Sequence, residues 1–408
     1  MKDSLIVIGL QYGDEGKGRI VDYLGSKFDG VVRYNGANNA GHTIVLNSLK
    51  FPLSQLPCSV FNNNDLLIAQ GCSINPEVLI NEIKSLESLN IQVKLTIDYR
   101  CHIIMPYHQI LDELTEKHKT NKMGSLKLGV GYSYEDKTNR EGIRLEDLLD
   151  ISILKEKLTR NIAIKNDRIE KVFGTHSDLS LDSILSEFHK YGKYLEQYIG
   201  DVSEIILDGL DNKKYLFESA QSYNLDYAFG TYPYTVAYHT LASSVLTGVG
   251  LPPTDIDVLG IIRAYSIRVG NGPFPTEDTT SLGEQLRIIG NEYGTVSKRP
   301  RRCGWLDLPV IKKGLKINGV SRLALTKLDV LSHFKEIPVC TSYNQIDSNI
   351  VEPNYKKCEG WNEDISGIRD LNKLPTNCRK YISLVEEQLG VPITLISVGA
   401  ERESIIEV

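Results

Sequence analysis

Five residues, Leu5-Ile6-Val7-Ile8-Gly9, lead without a charged break into Leu10-Gln11-Tyr12-Gly13-Asp14-Glu15-Gly16-Lys17-Gly18. Helical spacing of apolar residues follows at once in Arg19-Ile20-Val21-Asp22-Tyr23-Leu24. A short, continuous apolar run fits a strand buried on both faces, as in a parallel sheet. Gly30-Val31-Val32-Arg33-Tyr34 reads as the next strand. Strand, glycine loop, helix, strand is the βαβ pattern of an open α/β sheet. The expected fold is therefore α/β. It has a large, mostly parallel central sheet with a P-loop-like glycine loop, helices on both faces and a helical insertion.

Further strands are expected at Leu66–Ala69, Ile103–Met105, Lys214–Glu218, Leu323–Lys327 and Ile393–Val398, with a weaker one at Ile205–Asp208. Between residues 152 and 212 the chain is charged, and its apolar residues recur every three or four positions, as in Leu154 and Leu158 or Leu181, Ile184, Leu185, Phe188 and Tyr191. That stretch reads as a helical insertion. Strands come from both ends of the chain, and no Pro/Gly/Ser-rich linker divides it. The expectation is one large domain over residues 1–408, with 152–212 inserted in it.

The net charge is −6 over 408 residues, which argues against a general nucleic-acid binder. Seven cysteines are scattered without a C-x-x-C pair, so neither a zinc site nor a redox dithiol is suggested, and a reducing compartment is. No signal peptide and no apolar run of membrane-spanning length is read, so the expected location is the cytoplasm, with no membrane partner.

Four elements carry chemistry. Gly13, Gly16 and Gly18 let phosphate oxygens approach the backbone amides at a helix start, and Lys17 adds a positive charge. The loop departs from the usual phosphate-loop pattern: Gly18 follows the lysine in place of Ser or Thr, and Asp14 and Glu15 place two carboxylates inside it. A carboxylate there calls for a role as base or metal ligand. The second element is Asn38-Asn39-Ala40-Gly41-His42-Thr43, whose histidine suits a general acid or an anion partner. In the third, Thr326-Lys327-Leu328-Asp329, a carboxylate after a strand can accept from both N1–H and the 2-amino group of guanine, which selects GTP over ATP. The fourth, Lys298-Arg299-Pro300-Arg301-Arg302, holds four cations in five residues and is suited to carboxylate or phosphate capture.

Taken with Tyr134-Glu135-Asp136-Lys137, Gly230-Thr231-Tyr232-Pro233-Tyr234, Gly270-Asn271-Gly272-Pro273-Phe274-Pro275-Thr276-Glu277 and Arg301-Arg302-Cys303-Gly304-Trp305, the ordered set resembles the adenylosuccinate synthetase family from about residue 4 to residue 403. The resemblance implies a GTP-dependent ligase that joins L-aspartate to inosine monophosphate through a 6-phosphoryl intermediate, with Mg²⁺ and a homodimer. It implies catalytic roles for Asp14, His42, Lys17 and Gln221. It assigns GTP to Gly13, Glu15, Gly16, Lys17, Gly18, Gly41, His42, Thr43, Lys327, Asp329, Ser397 and Gly399. The acceptor nucleotide falls to Asp14, Asn39, Ser125, Arg140, Gln221, Val236, Val269 and Arg299, with Arg140 supplied by the other subunit. Aspartate falls to Val296, Ser297, Arg299 and Arg301, and Mg²⁺ to Asp14 and the Gly41 carbonyl.

The chain also departs from the family. Leu126 and Val236 stand where phosphate-binding threonines are usual, and Val296-Ser297-Lys298 replaces a Thr-Thr-Gly run. Two lost hydroxyls weaken phosphate binding by roughly one to three orders of magnitude unless Lys127 or Lys298 substitutes. Three readings stay open on the sequence. They are the ordinary synthetase, a paralogue with a changed acceptor (dGMP, for example) or amine donor, and a GTP-binding switch.

Overall fold

The computed structural model describes residues 1, 3–46, 49–294, 299–346 and 351–408. Among these, ten strands form the central sheet: β1 (Leu5–Gly9), β2 (Gly30–Arg33), β3 (Asp65–Ile68), β4 (Leu95–Asp98), β5 (Ile199–Gly200), β6 (Tyr215–Ser222), β7 (Asp257–Arg263), β8 (Arg322–Thr326), β9 (Ile393–Ser397) and β10 (Ile405–Glu407). Their order across the sheet is β10-β9-β8-β7-β1-β6-β2-β3-β4-β5. Neighbours run parallel, except that β10 is antiparallel to β9.

Every residue of β1 is buried because both faces of the sheet are covered. Leu5 and Val7 join one apolar core, while Ile6 and Ile8 join the other. The period-two alternation of a strand thus feeds two layers at once. From β1 the chain crosses through helix α1 (Lys17–Gly25) to β2 and onward to β5. It then returns to place β6 between β1 and β2, and β7 on the far side of β1. The strand order therefore reverses at β1, and ligands of open α/β sheets bind at the carboxyl ends of strands beside such a switch point.

Residues 152–212 hold most of helix α2 (Ile151–Phe173), helix α3 (Leu181–Leu195), helix α4 (Val202–Asp208) and the edge strand β5. The strand expected at Ile205–Asp208 is instead the end of α4. Asp201 caps that helix by accepting from Glu204 N at 3.0 Å, and Val202 and Ile206, four apart, are buried while Leu207 is exposed. A four-residue apolar run cannot distinguish helix from strand, and the cap decides it. The expected strand at Ile103–Met105 is also displaced. His102–Ile103 pairs with Ser73–Ile74 outside the central sheet. No helix among the described residues is long and apolar enough to cross a membrane.

Candidate active site

The phosphate-loop candidate is closed on its own carboxylate. Glu15, fully buried, accepts from Gln11 N at 3.1 Å, Gly13 N at 2.9 Å and Lys17 Nζ at 2.8 Å, and also from Ser222 Oγ. Burial pushes its carboxyl up, but Lys17 and the other donors outweigh that and hold it below the usual range. The Glu15 side chain is thus a clamp inside the loop. Lys17 is its ion-pair partner and lies within 3.4 Å of Ser222 Oγ. Gly13 and Gly16 adopt φ of 92° and 91°, and Gly16 caps α1 with no side-chain acceptor on the first-turn amides. Uncapped amides at a helix start suit an anion.

His42 is packed on this loop. A Cβ at Gly18 would stand 2.8 Å from His42 Cβ, so only glycine allows the approach. His42 Nδ1 lies 2.7 Å from Glu218 Oε1 and 2.7 Å from Cys58 Sγ. Glu218 also accepts from Cys58 N at 2.8 Å. Burial raises the Glu218 carboxyl, yet His42 and the buried Arg33 outweigh it and lower it to about 2. Thr43 follows His42 on the strand His42–Leu46, and Gly41 precedes it at an exposed position.

At the end of β8, Thr326 Oγ1 donates to the Glu15 carbonyl at 2.6 Å, tying that strand to the loop. Lys327, at φ 61°, donates to the Gly290 carbonyl at 2.9 Å. Asp329 Oδ1 is buried with no hydrogen-bond partner, and burial raises its carboxyl. A buried acceptor without a donor is costly, and a base with two adjacent N–H groups satisfies it. Arg19 donates to Ser397 Oγ at 2.7 Å and to the Gly399 carbonyl, which brings those two residues to α1 beside Asp329.

Asp14, at φ 57°, carries its carboxylate 2.6 Å from Arg301. Arg301 also meets Glu292 at 3.0 Å, and Arg263 donates to the Asp14 carbonyl at 2.7 Å. Arg299 is exposed two residues before Arg301. Val296 and Ser297 lie outside the described residues.

On the acceptor side, Gln221 (φ 65°) sits where the β1–β6 register shifts between Val7/Glu218 and Gly9/Ser222. Such a bulge re-aims a side chain. Gln221 Nε2 donates to the Asn39 carbonyl at 3.0 Å, and its Oε1 would lie 2.8 Å from a Cβ at Gly13. Asn39 Nδ2 donates to Tyr238 OH at 3.1 Å. Val236 packs with Tyr134 and Leu128 against a small cluster that includes Ala37, Ala40 and Tyr238. Ser125 Oγ donates to Asp112 at 2.6 Å, and Leu126 beside it is exposed. That segment touches the one bearing exposed Val269, through Asn271 Nδ2 and the Lys122 carbonyl at 2.7 Å. Arg140 is exposed at the end of the helix Val130–Asn139.

The structure thus gathers the loop, His42, Gln221, Asn39, Arg301, Thr326 and Ser397 at the carboxyl ends of the sheet's strands. It leaves Arg140 at the exposed end of its helix. Sequence reasoning missed the hub of the arrangement, the end of β6, where Glu218 holds His42 and Ser222 holds Glu15. The available signal was Glu218, an acid directly after the apolar run Tyr215-Leu216-Phe217 of a buried strand.

A family model described as adenylosuccinate synthetase matches residues 6–406. An adenylosuccinate synthetase from Acetivibrio thermocellus is 43% identical over 420 residues, covering 99% of each chain. One from Limosilactobacillus reuteri is 44% identical over 417 residues, covering 98% of this chain and 96% of its own. The fully ligated adenylosuccinate synthetase of Plasmodium falciparum superposes with a TM-score of 0.93 at 36% identity, over 100% of both chains. A cyanophage S-2L succinoaminodeoxyadenylate synthetase bound to dGMP and dATP shares the fold, with a TM-score of 0.66 at 19% identity over 100% of this chain and 95% of its own.

Proposed function

The chain belongs to the adenylosuccinate synthetase family and joins L-aspartate to position 6 of inosine monophosphate with cleavage of GTP; from that premise we propose how its own residues divide the work. The purine 6-oxygen is a poor leaving group. Asp14 takes the N1 proton of the base, so that O6 attacks the γ-phosphorus and GDP departs with the electron pair of the broken bond. The aspartate amine then attacks C6. The C6–O6 bond breaks, phosphate leaves with O6, and the amine loses its proton.

His42 stabilises the charge of the transferring phosphoryl group as general acid. Glu218 is its positioning residue: it faces Nδ1, which leaves Nε2 for the substrate. Lys17 and the first-turn amides of α1 meet the GTP phosphates, and Asp329 and Lys327 meet guanine, with Ser397 and Gly399 beside them. Glu15 contributes its backbone, because its side chain is committed to the loop.

The oxygen donors available to a cation, the partly exposed Asp14 carboxylate and the Gly41 carbonyl, suit Mg²⁺, a hard ion that favours oxygen ligands. Bound there, Mg²⁺ supplies charge neutralisation for the phosphates. Asn39, Gln221, Ser125, Val236 and Val269 face inosine monophosphate. Arg299 and Arg301 take the carboxylates of aspartate, together with Val296 and Ser297. Arg140 of one copy serves the acceptor site of a second in a homodimer. We read residues 1–408 as one domain, with 152–212 inserted. Seven free cysteines fit a reducing cytosol.

The Asp14–Arg301 pair at 2.6 Å carries this reading. A carboxylate inside a phosphate loop, under an arginine that an incoming dicarboxylate can draw away, supports Asp14 as the base. The changed-acceptor and switch readings draw no support from the relatives. The test uses inosine monophosphate labelled with ¹⁸O at position 6. The label is expected in inorganic phosphate. Its release as water, or its retention in the nucleotide product, would contradict a 6-phosphoryl intermediate.

A further inference from the structure

The side of His42 turned away from the substrate meets a second set of ligating atoms. His42 Nδ1, Cys58 Sγ and Glu218 Oε1 lie 2.7, 2.7 and 3.0 Å from one another, all in buried residues. Imidazole, thiol and carboxylate at one point form a donor set for a borderline-soft dication, whereas Mg²⁺ prefers oxygens alone. We propose that His42, Cys58 and Glu218 form an inhibitory site for a divalent cation of the Zn²⁺ class.

The geometry needs little adjustment. Tetrahedral Zn²⁺ sites with bonds of about 2.0–2.3 Å set their ligand atoms roughly 3.3–3.7 Å apart, so the three atoms spread by less than about 1 Å. A water takes the fourth position. Glu218 enters ionised. Cys58 releases its thiol proton to solvent, and His42 binds through Nδ1 with its ring proton on Nε2. The Glu218 carboxylate and the Cys58 thiolate offset the dication and the buried Arg33 guanidinium in part. Metal on Nδ1 displaces Glu218 from that nitrogen, so His42 loses the carboxylate that positions it against the substrate.

The inference rests on the role given to His42 above, and the experiment separates the two. Co²⁺ and then Zn²⁺ are titrated into the full-length protein with Mg²⁺ in excess. We expect one equivalent of Co²⁺ to give a near-ultraviolet thiolate-to-cobalt band that Zn²⁺ abolishes. In Cys58→Ser the band is absent and Zn²⁺ affinity falls about 100-fold or more. Adenylosuccinate synthesis falls in proportion to occupancy and recovers with a chelator. No band, or Zn²⁺ affinity unchanged in Cys58→Ser, overturns the site. A full band with undiminished synthesis overturns the inhibition and counts separately against His42 as the acid.

Discussion

His42 Nδ1 lies 2.7 Å from the fully buried carboxylate of Glu218, and the same strand end holds the phosphate loop through Ser222 and Glu15. One strand, β6, therefore aligns the general acid with the loop it serves. Glu218→Gln keeps an acceptor opposite Nδ1 but removes the negative charge that holds the ring in place. Its kcat is expected to fall by roughly 10²–10³, within the range of acid–base contributions, while KM for GTP changes little. Steady-state kinetics, with a melting curve to confirm folding, checks this. A change confined to KM would give Glu218 a binding role instead.

The unpartnered Asp329 Oδ1 is read as a guanine acceptor. Asp329→Ala is expected to raise KM for GTP about 10- to 100-fold, the value of a charge-assisted hydrogen bond, with kcat largely kept. The preference for GTP over ITP, which lacks the 2-amino group, should shrink in the variant. A ratio of the two nucleotides equal to that of the unaltered protein would remove Asp329 from base recognition.

Asp307, the buried cap of the helix Leu308–Asn318, bears on stability. Burial raises its carboxyl to about 6, partly offset by donors from Tyr343 OH and Val310 N. The folded state then binds the proton more tightly than the unfolded one, so Asp307 lowers stability as pH rises from about 4 to 6. The loss is about 3 kcal/mol and levels off above that. Asp307→Asn keeps an acceptor and carries no charge. Denaturation at a series of pH values should find it more stable than the unaltered protein at pH 7, and equal to it near pH 4. Equal curves throughout would mean that Asp307 titrates normally.

The start of the fold was legible because β1, its glycine loop and α1 are local and their patterns agree. β7 was not read: Gly260 interrupts its apolar run. A Cβ there would press on Leu10 Cδ1, 2.5 Å away, so the glycine makes room for that side chain. In the antiparallel pair Glu336–Gln345 and Val351–Glu359 only Ile337, Val339 and Cys340 are buried, and the remainder is polar or part-exposed, too short an apolar signal to read as a strand. In the site, glycines, His42 and arginines announce themselves by type. Ser222 is an ordinary residue whose importance arises only when β6 lies beside β1. Glu15 reads in the sequence as a second carboxylate with a role as base, metal ligand or GTP contact, and only the three-dimensional clamp shows its side chain to be spent on the loop.

Asp14→Asn gives the most direct test of whether the loop both holds GTP and activates the acceptor. GDP release and adenylosuccinate formation are measured together, with inosine monophosphate and aspartate each present or omitted. The unaltered protein should release one GDP per adenylosuccinate and almost none when either partner is missing. Asp14→Asn should still bind GTP but lose both products together by a factor of about 10² or more. GDP release that continues without inosine monophosphate and is unchanged in Asp14→Asn would contradict the account.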